Sequence, residues 1–401
     1  MRHTPFEQFS LWVVKIGLWV IPFLPLYVSS SMLFPFITGK NFAFRIIVEI
    51  IFALWVGLAV LKGEYRPRLT PLFKVATGFI IVIFLADFFS PNPYRAFFSN
   101  YERMEGFMML FHLYLYFVML ISVFRKRDWI IFFHMTILAS IAVSYVALLQ
   151  KLGYRVSLQG GFRVDSTIGN PTYLAAYLLF HVWLLALFIY QWWGKWWRTA
   201  FYSATLVFEL AILYFTATRG ATLALVLILV PFLAAVVWFW PRIKNELSLS
   251  VKKKSAVDAS LEKGFGPYAG WSGGRKFAFG FLILSVVLPL FFWGIRNTDY
   301  IRNNQILSRL TNYSLRETTI QSRFLIWRMS AQAALERPIL GWGQENYYLV
   351  FQKYFDPGLF AQEPWFDRSH NVILDWLVHT GFSGLLLYLG LFGSAFWVRW
   401  R

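Results

Sequence analysis

The chain has 401 residues, of which 58% are hydrophobic and only 14% charged, with a formal net charge of +18. No soluble domain of this length needs so much apolar surface, so the composition excludes one and points to a protein that crosses a membrane several times. The lack of cysteine excludes a disulfide framework and thiolate chemistry; the surplus of cations reads as orientation and contact with anionic lipid headgroups, not as binding of nucleic acid.

Ten apolar segments of spanning length follow in order, at about 11–28, 42–61, 71–89, 106–124, 129–149, 171–190, 199–217, 221–240, 277–294 and 382–398. A further helical stretch, 371–380, leads into the last. The first segment follows a short polar start and has no small-residue cleavage site, so it reads as an uncleaved helix. Tryptophans gather near segment ends, as in Trp192-Trp193-Gly194-Lys195-Trp196-Trp197-Arg198 and Trp238-Phe239-Trp240. These are the places where amphipathic rings settle at a membrane interface. With the N-terminus in the cytoplasm, inner loops and ends carry 21 Lys and Arg, and the short outer loops carry 8. The positive-inside rule favours that orientation.

Two long polar stretches remain. The inner one, 241–276, contains Lys252-Lys253-Lys254 and a glycine-rich run from Gly264 to Gly274, and reads as a flexible basic tether. It has neither a GxxxxGK[ST] pattern nor a preceding strand, so it is not a nucleotide loop. The outer one, 296–370, carries nine cations, of which eight are Arg and one is Lys353. Arginine grips phosphate bidentately, whereas lysine acts as a point charge. An Arg-rich loop ending in His370 suggests a site that holds a phosphorylated lipid and moves a proton beside it.

Five groups could carry that chemistry. Arg163 lies in the loop 161–171, which closes with Gly169-Asn170-Pro171. Arg219 lies in Thr216-Ala217-Thr218-Arg219-Gly220, which interrupts an otherwise apolar run. A charge there is costly unless paired, so it is a functional candidate; the plainer alternative is an interfacial anchor. Arg323 and Trp327 share one face of a helix expected over 318–336, with Arg328 beside them; the alternative is an amphipathic helix lying on the membrane. Arg302 and Arg309 precede them. Pro338-Ile339-Leu340-Gly341-Trp342-Gly343 reads as a turn that lets backbone pass closely. Of six histidines, only His370 sits in a polar outer loop, next to Asn371. Histidine's ordinary pKa suits a general base; the alternative is a helix-capping His-Asn pair. The sequence shows no HExxH, no Asp-x-Asp in an outer loop and no His pair at i, i+3 or i+4, so no metal site is expected. Charge on a departing diphosphate would then be neutralised by arginine. Asn312-Tyr313-Ser314 matches a glycosylation sequon, a common and weak pattern.

Taken in order, Thr218-Arg219-Gly220, Arg323 then Trp327, Pro338 with Gly341 and Gly343, and His370-Asn371 followed by Gly381 and Gly384 resemble the O-antigen ligase and polymerase superfamily. Gly169-Asn170-Pro171 is similar too, and the resemblance covers roughly residues 160–390. It implies an all-α polytopic membrane protein, a GT-C-like bundle of about ten transmembrane helices with one large helical periplasmic loop. Helices 1–9 would fill 1–295, the loop with the site 296–370, and the lead-in helix and last span 371–401. The resemblance further implies a bacterial inner membrane, a site facing the periplasm, and no cofactor. The reaction would be an inverting, metal-independent transfer of a glycan from undecaprenyl diphosphate to a hydroxyl of an acceptor glycan, glycolipid or glycoprotein. Arg219 and Arg323 would hold the diphosphate, with Arg163 assisting, and His370 would deprotonate or orient the acceptor hydroxyl. The chain ends just after the tenth span, where members of this family commonly continue, so a short member or a piece of a longer protein is expected. A surface-polysaccharide polymerase would use the same residues. A polysaccharide or lipid-diphosphate transporter would instead show polar, broken spans meeting at the midplane, and an anionic-lipid scaffold would tolerate loss of Arg323 and His370.

Overall fold

The computed structural model describes residues 4–157, 161–192, 194–257, 274–311, 318–360 and 365–400. Among them every regular element is a helix. The chain runs α1 (Pro5–Val20), α2 (Thr38–Leu61), α3 (Pro71–Phe88), α4 (Pro93–Phe98), α5 (Phe107–Val123), α6 (Lys126–Lys151) and α7 (Pro171–Gln191). It continues through α8 (Trp196–Phe215), α9 (Arg219–Val257), α10 (Gly274–Gly294), α11 (Asp299–Asn303), α12 (Gln305–Thr311), α13 (Thr318–Glu336), α14 (Tyr347–Lys353) and α15 (Val372–Trp400). Each of the ten predicted spans overlaps one of these helices, the first, 11–28, running past α1 through the 3-10 turn Ile21–Leu26, and 199–217 running past α8 into the turn after Phe215. Among the described residues, seven stretches are long and apolar enough to cross a membrane: Pro5–Leu26, Thr38–Leu61, Pro71–Phe88, Lys126–Lys151, Pro171–Gln191, Arg219–Phe239 and Val372–Trp397. The protein is therefore a multi-helix membrane protein. Phe107–Val123 and Phe279–Gly294 are apolar but shorter, and α8 carries Arg198 and Glu209.

Four helices begin with the same local device. Thr4, Thr70, Asn92 and Asn170 each precede a proline, and each side-chain oxygen accepts a backbone N–H of the first turn. The cap satisfies an orphan donor, while the proline needs none and presets the helical φ. One expectation is corrected at the far end of α9. The stretch 241–257 is not a flexible tether but a continuation of that helix. No glycine interrupts the sequence between Gly220 and Gly264, so only Pro231 and Pro241 act against the helix before Val257, and it continues past both. The rest of the expected tether, with most of the glycine-rich run, and the sequon Asn312-Tyr313-Ser314 lie outside the described residues.

The chain divides into two compact units, Met1–Ala139 with Ser314–Arg401, and Ser140–Tyr313. The boundaries fall inside α6 and inside the segment 296–370, so that segment contributes to both units. In the first unit, Val14, Leu18, Val48, Ile51, Leu58 and Met119 of α1, α2 and α5 form one buried core. Ion pairs hold the ends of these helices, Lys62 with Glu7 at 2.6 Å and Lys15 with Asp128 at 2.9 Å. A second core joins Ile326, Met329 and Ala333 of α13 to Trp342, Tyr347, Phe351, Phe366 and Val378. In the second unit, α7 packs along α8, and α10 along α9.

The glycine pattern near the C-terminus is explained by a backbone exchange within the first unit. Helix α15 breaks at Gly381 (φ 64, ψ −168). The Phe382 N–H turns away from Val378 and donates to the Pro338 carbonyl at 2.8 Å. In return, Trp342 N–H donates to the Val378 carbonyl at 2.8 Å and Gly343 N–H to the His379 carbonyl at 2.9 Å. Three of the groups released by the break are thus satisfied by the 338–343 segment, as buried backbone requires. Gly341 has φ +68, and a Cβ there would overlap the Val378 carbonyl oxygen. The close passage predicted for this turn is what the structure contains.

Candidate functional site

The predicted residues form two groups, one in each unit. In the second unit, α8 ends at Phe215 and α9 begins at Arg219, leaving Thr216-Ala217-Thr218 as a tight hairpin. Thr216 Oγ1 donates back to the Leu213 carbonyl at 2.7 Å, and Ala217 adopts φ +48, a left-handed value that a non-glycine residue holds only at a cost. Three arginines converge on this hairpin. Arg163 donates through Nε to the Thr216 carbonyl (2.8 Å) and through Nη2 to Thr218 Oγ1 (3.1 Å). Arg309, from α12, donates through Nε to the Ala217 carbonyl at 3.1 Å. Arg219 donates through Nε to the Arg309 carbonyl at 2.6 Å. Thr218 Oγ1 also donates to the Pro171 carbonyl at 3.3 Å, which ties the Asn170-Pro171 helix start to the same spot.

Each of these guanidiniums is thus fixed through Nε to backbone. Burial lowers the Arg163 pKa, and the positive charge of Arg309 lowers it further. Bringing like charges together in a half-buried place is unfavourable, by about 1 kcal/mol per close pair in water and more at lower dielectric. A bound anion would reverse that sign. Sequence reading had placed Arg309 only in a supporting role; what it lacked was the fold of α12 back onto α9, which spacing does not reveal.

The second group lies in the first unit. Trp327 on α13 donates its indole Nε1–H to the Ser369 carbonyl at 3.1 Å. Ser369 is fully buried, and its N–H and hydroxyl both donate to Asp375 Oδ1, at 2.8 and 2.7 Å. Asn371 Oδ1 accepts from Ile373 N–H at 3.1 Å and so caps α15. Asn371 therefore has the capping role weighed in the sequence. His370 is exposed between these anchored neighbours, with φ +53 and its ring edge-on to Phe366 at 5.5 Å. Arg323 lies one turn before Trp327 on the same face of α13, with its side chain exposed. Arg302 and Arg328 are also exposed, and among the described residues no side-chain bond joins either to this group or to the hairpin.

Sequence reading missed the groups that hold the His370 loop. Arg368 bonds Glu105 and also Glu345, the latter at 3.1 Å. Burial alone would lower the Arg368 pKa, but the carboxylates of Glu105, Glu345, Asp375 and Asp367 outweigh it and raise it. Asp375 left one trace in the sequence, an acidic residue in the first turn of a helix. Glu105 and Glu345 left none, because their pairing depends on folding over long separations.

Residues 204–389 match the O-antigen ligase family. The matched stretch is just under half of the chain and contains Arg219, Arg309, Arg323, Trp327, His370 and both glycine pairs, whereas Arg163 lies before it. The O-antigen ligase match supports an enzyme of the ligase and polymerase type, a glycosyl-transfer activity that uses a lipid-linked glycan and an acceptor in polysaccharide or lipopolysaccharide biosynthesis. No curated protein matches the chain.

Proposed function

We propose that the protein transfers a glycan from undecaprenyl diphosphate to an acceptor hydroxyl on the periplasmic side of a bacterial inner membrane, with its N-terminus in the cytoplasm, as an O-antigen ligase. Arg163, Arg219 and Arg309, together with Arg323, bind the carrier diphosphate. Arginines already held through Nε lose little freedom on binding phosphate oxygens, which favours the charged leaving group. His370 takes the proton from the acceptor hydroxyl as that oxygen attacks the anomeric carbon, and the diphosphate leaves from the opposite face with inversion. No metal is needed, because arginine neutralises the leaving group.

The observation that carries this reading is the convergence of Arg163, Arg219 and Arg309 on one hairpin, where the nearest charge acting on Arg163 is another arginine. Such a cluster is favourable chiefly with an anion present. Transfer from a synthetic undecaprenyl diphosphate oligosaccharide, without added metal, tests it. Wild type should transfer, while His370→Ala should bind the carrier but not turn over. Full activity in His370→Ala would remove the histidine from the mechanism. Carrier binding unaffected by loss of two of the hairpin arginines would remove the diphosphate site. A polymerase differs only in its acceptor, and the same assay with a growing polysaccharide as acceptor separates the two. Uptake of the carrier across vesicles without glycan transfer would favour a transporter.

A further inference from the structure

Beside His370, within the same compact unit, the fold displays a pair of aromatic rings that the chemistry above leaves unused. Tyr348 and Trp365 lie near-parallel, at 25° with centroids 6.4 Å apart. Tyr348 is held on two sides. Asn92 Nδ2 donates to its hydroxyl at 3.1 Å, and the Arg95 guanidinium stands 4.3 Å from its ring centroid. Trp365 leaves 45% of its surface exposed. An ion pair, Arg103 with Asp367 at 2.8 Å, stands two residues from Trp365, its side chains partly exposed. A run of ring contacts connects the pair to the proposed base: Trp365 to Phe351 at 6.0 Å, Phe351 to Phe366 at 6.0 Å and Phe366 to His370 at 5.5 Å.

We propose that Tyr348 and Trp365 form the platform that binds the acceptor saccharide. This rests on the reading of His370 as the group that receives the acceptor proton. A pyranose has an apolar C–H face that packs on an indole or phenol ring, and an edge of hydroxyls that need hydrogen-bond partners. The ring pair offers the first, and Arg95, Arg103, Asp367 and Asn92 offer the second. A phosphate headgroup fits less well, since it has no flat C–H face to lay on the ring pair. The sugar is the acceptor's because it is the acceptor hydroxyl that must reach His370, whereas the donor is gripped at its diphosphate.

The test uses the full chain in nanodiscs, since alkyl-maltoside detergents carry sugar headgroups that would compete. Core oligosaccharide released from lipopolysaccharide serves as probe and acceptor. Trp365→Ala should raise the acceptor KM about ten- to hundredfold, the range expected for loss of one buried aromatic contact. The donor KM and kcat should change by less than about threefold, and Trp365→Phe should restore most of the loss. Calorimetric titration of the same oligosaccharide should show saturable binding in wild type that Trp365→Ala loses. An unchanged acceptor KM overturns the proposal, and so does an effect confined to the donor KM or a loss of nanodisc association without loss of saccharide affinity. If wild type transfers nothing, the enzymatic reading fails by itself, and the titration still decides the platform: binding lost in Trp365→Ala supports it, and no saturable binding by wild type overturns it.

Discussion

Gly341→Ala tests the backbone exchange at the break in α15 most directly. Gly341 has φ +68, where an L side chain costs about 1–2 kcal/mol. The added methyl would meet the Val378 carbonyl oxygen, Gly381 N at 2.7 Å and the His379 carbonyl carbon at 2.7 Å, and all three are backbone atoms that no rotamer change can move aside. The 338–343 segment must therefore retreat. That stretches the bonds from Trp342 to Val378 (2.8 Å) and from Gly343 to His379 (2.9 Å), each contributing about 0.5–1.5 kcal/mol. Together the loss is about 2–5 kcal/mol. Spread over a cooperative unit of a few hundred residues, it lowers Tm by roughly 5–15 °C. Gly57→Ala is the matched control. It sits inside α2 with nothing within 4 Å of its added Cβ, so it should be neutral or slightly stabilising, since alanine is the better helix former. The assay is thermal unfolding of the nanodisc protein followed by tryptophan fluorescence. If Gly341→Ala and Gly57→Ala melt within about 1 °C of each other, the backbone exchange is not a stabilising feature.

Asp375→Ala should leave the buried Ser369 N–H without an acceptor and its hydroxyl with the Asn371 carbonyl alone, costing about 1–3 kcal/mol locally and loosening the His370 loop, whereas Asp375→Asn keeps an oxygen in place and should cost less than about 1 kcal/mol; amide hydrogen exchange of residues 366–371 reads the difference. Arg309→Ala should weaken binding of undecaprenyl diphosphate about tenfold and flatten its salt dependence, while the same change at exposed Arg328 should do neither. A third prediction concerns pH. The Glu336 carboxylate is held below its ordinary pKa by hydrogen bonds from Lys353 and Tyr354, and the Tyr354 phenol, donating to Glu336, is pushed up to about 12. The carboxylate's share of stability is therefore present above the ordinary carboxylate range and lost as pH falls through the lowered value; the phenol's share is present below the ordinary tyrosine value and lost as pH rises through about 12. The Tm gap between wild type and Glu336→Gln should accordingly be open at neutral pH and close at both extremes; a gap that widens in acid refutes the assignment.

The helices were legible because membrane spans declare themselves by apolar length, and several starts do so by a Thr or Asn before proline. The helix expected at 318–336 is α13, with the same bounds. Its face carrying Arg323 and Trp327 follows from spacing alone, and so does the turn at Gly341 and Gly343. What spacing could not give is which element receives each of these features. The carbonyls released at Gly381 belong to one segment, and the N–H groups that satisfy them to another nearly forty residues earlier.

The same distinction separates the arginines. Their number and type already pointed to phosphate, since guanidinium forks suit it. Yet Arg309 looks like Arg302 and Arg328 in sequence, and only folding sorts it from them. Arg163 and Arg309 spend an Nε–H on the backbone of one hairpin, Arg219 spends its own on the Arg309 carbonyl, and the three so become a fixed cationic group; Arg302 and Arg328 stay solvated. His370 is the converse case, selected in sequence by its solitude. In the structure its distinction is that the residues on either side are anchored, Ser369 by Trp327 and Asp375 and Asn371 by the helix it caps, while the imidazole alone stays exposed. The proposed role, meeting a substrate while keeping position, needs both properties at once, and His370 holds them at a left-handed φ of 53°.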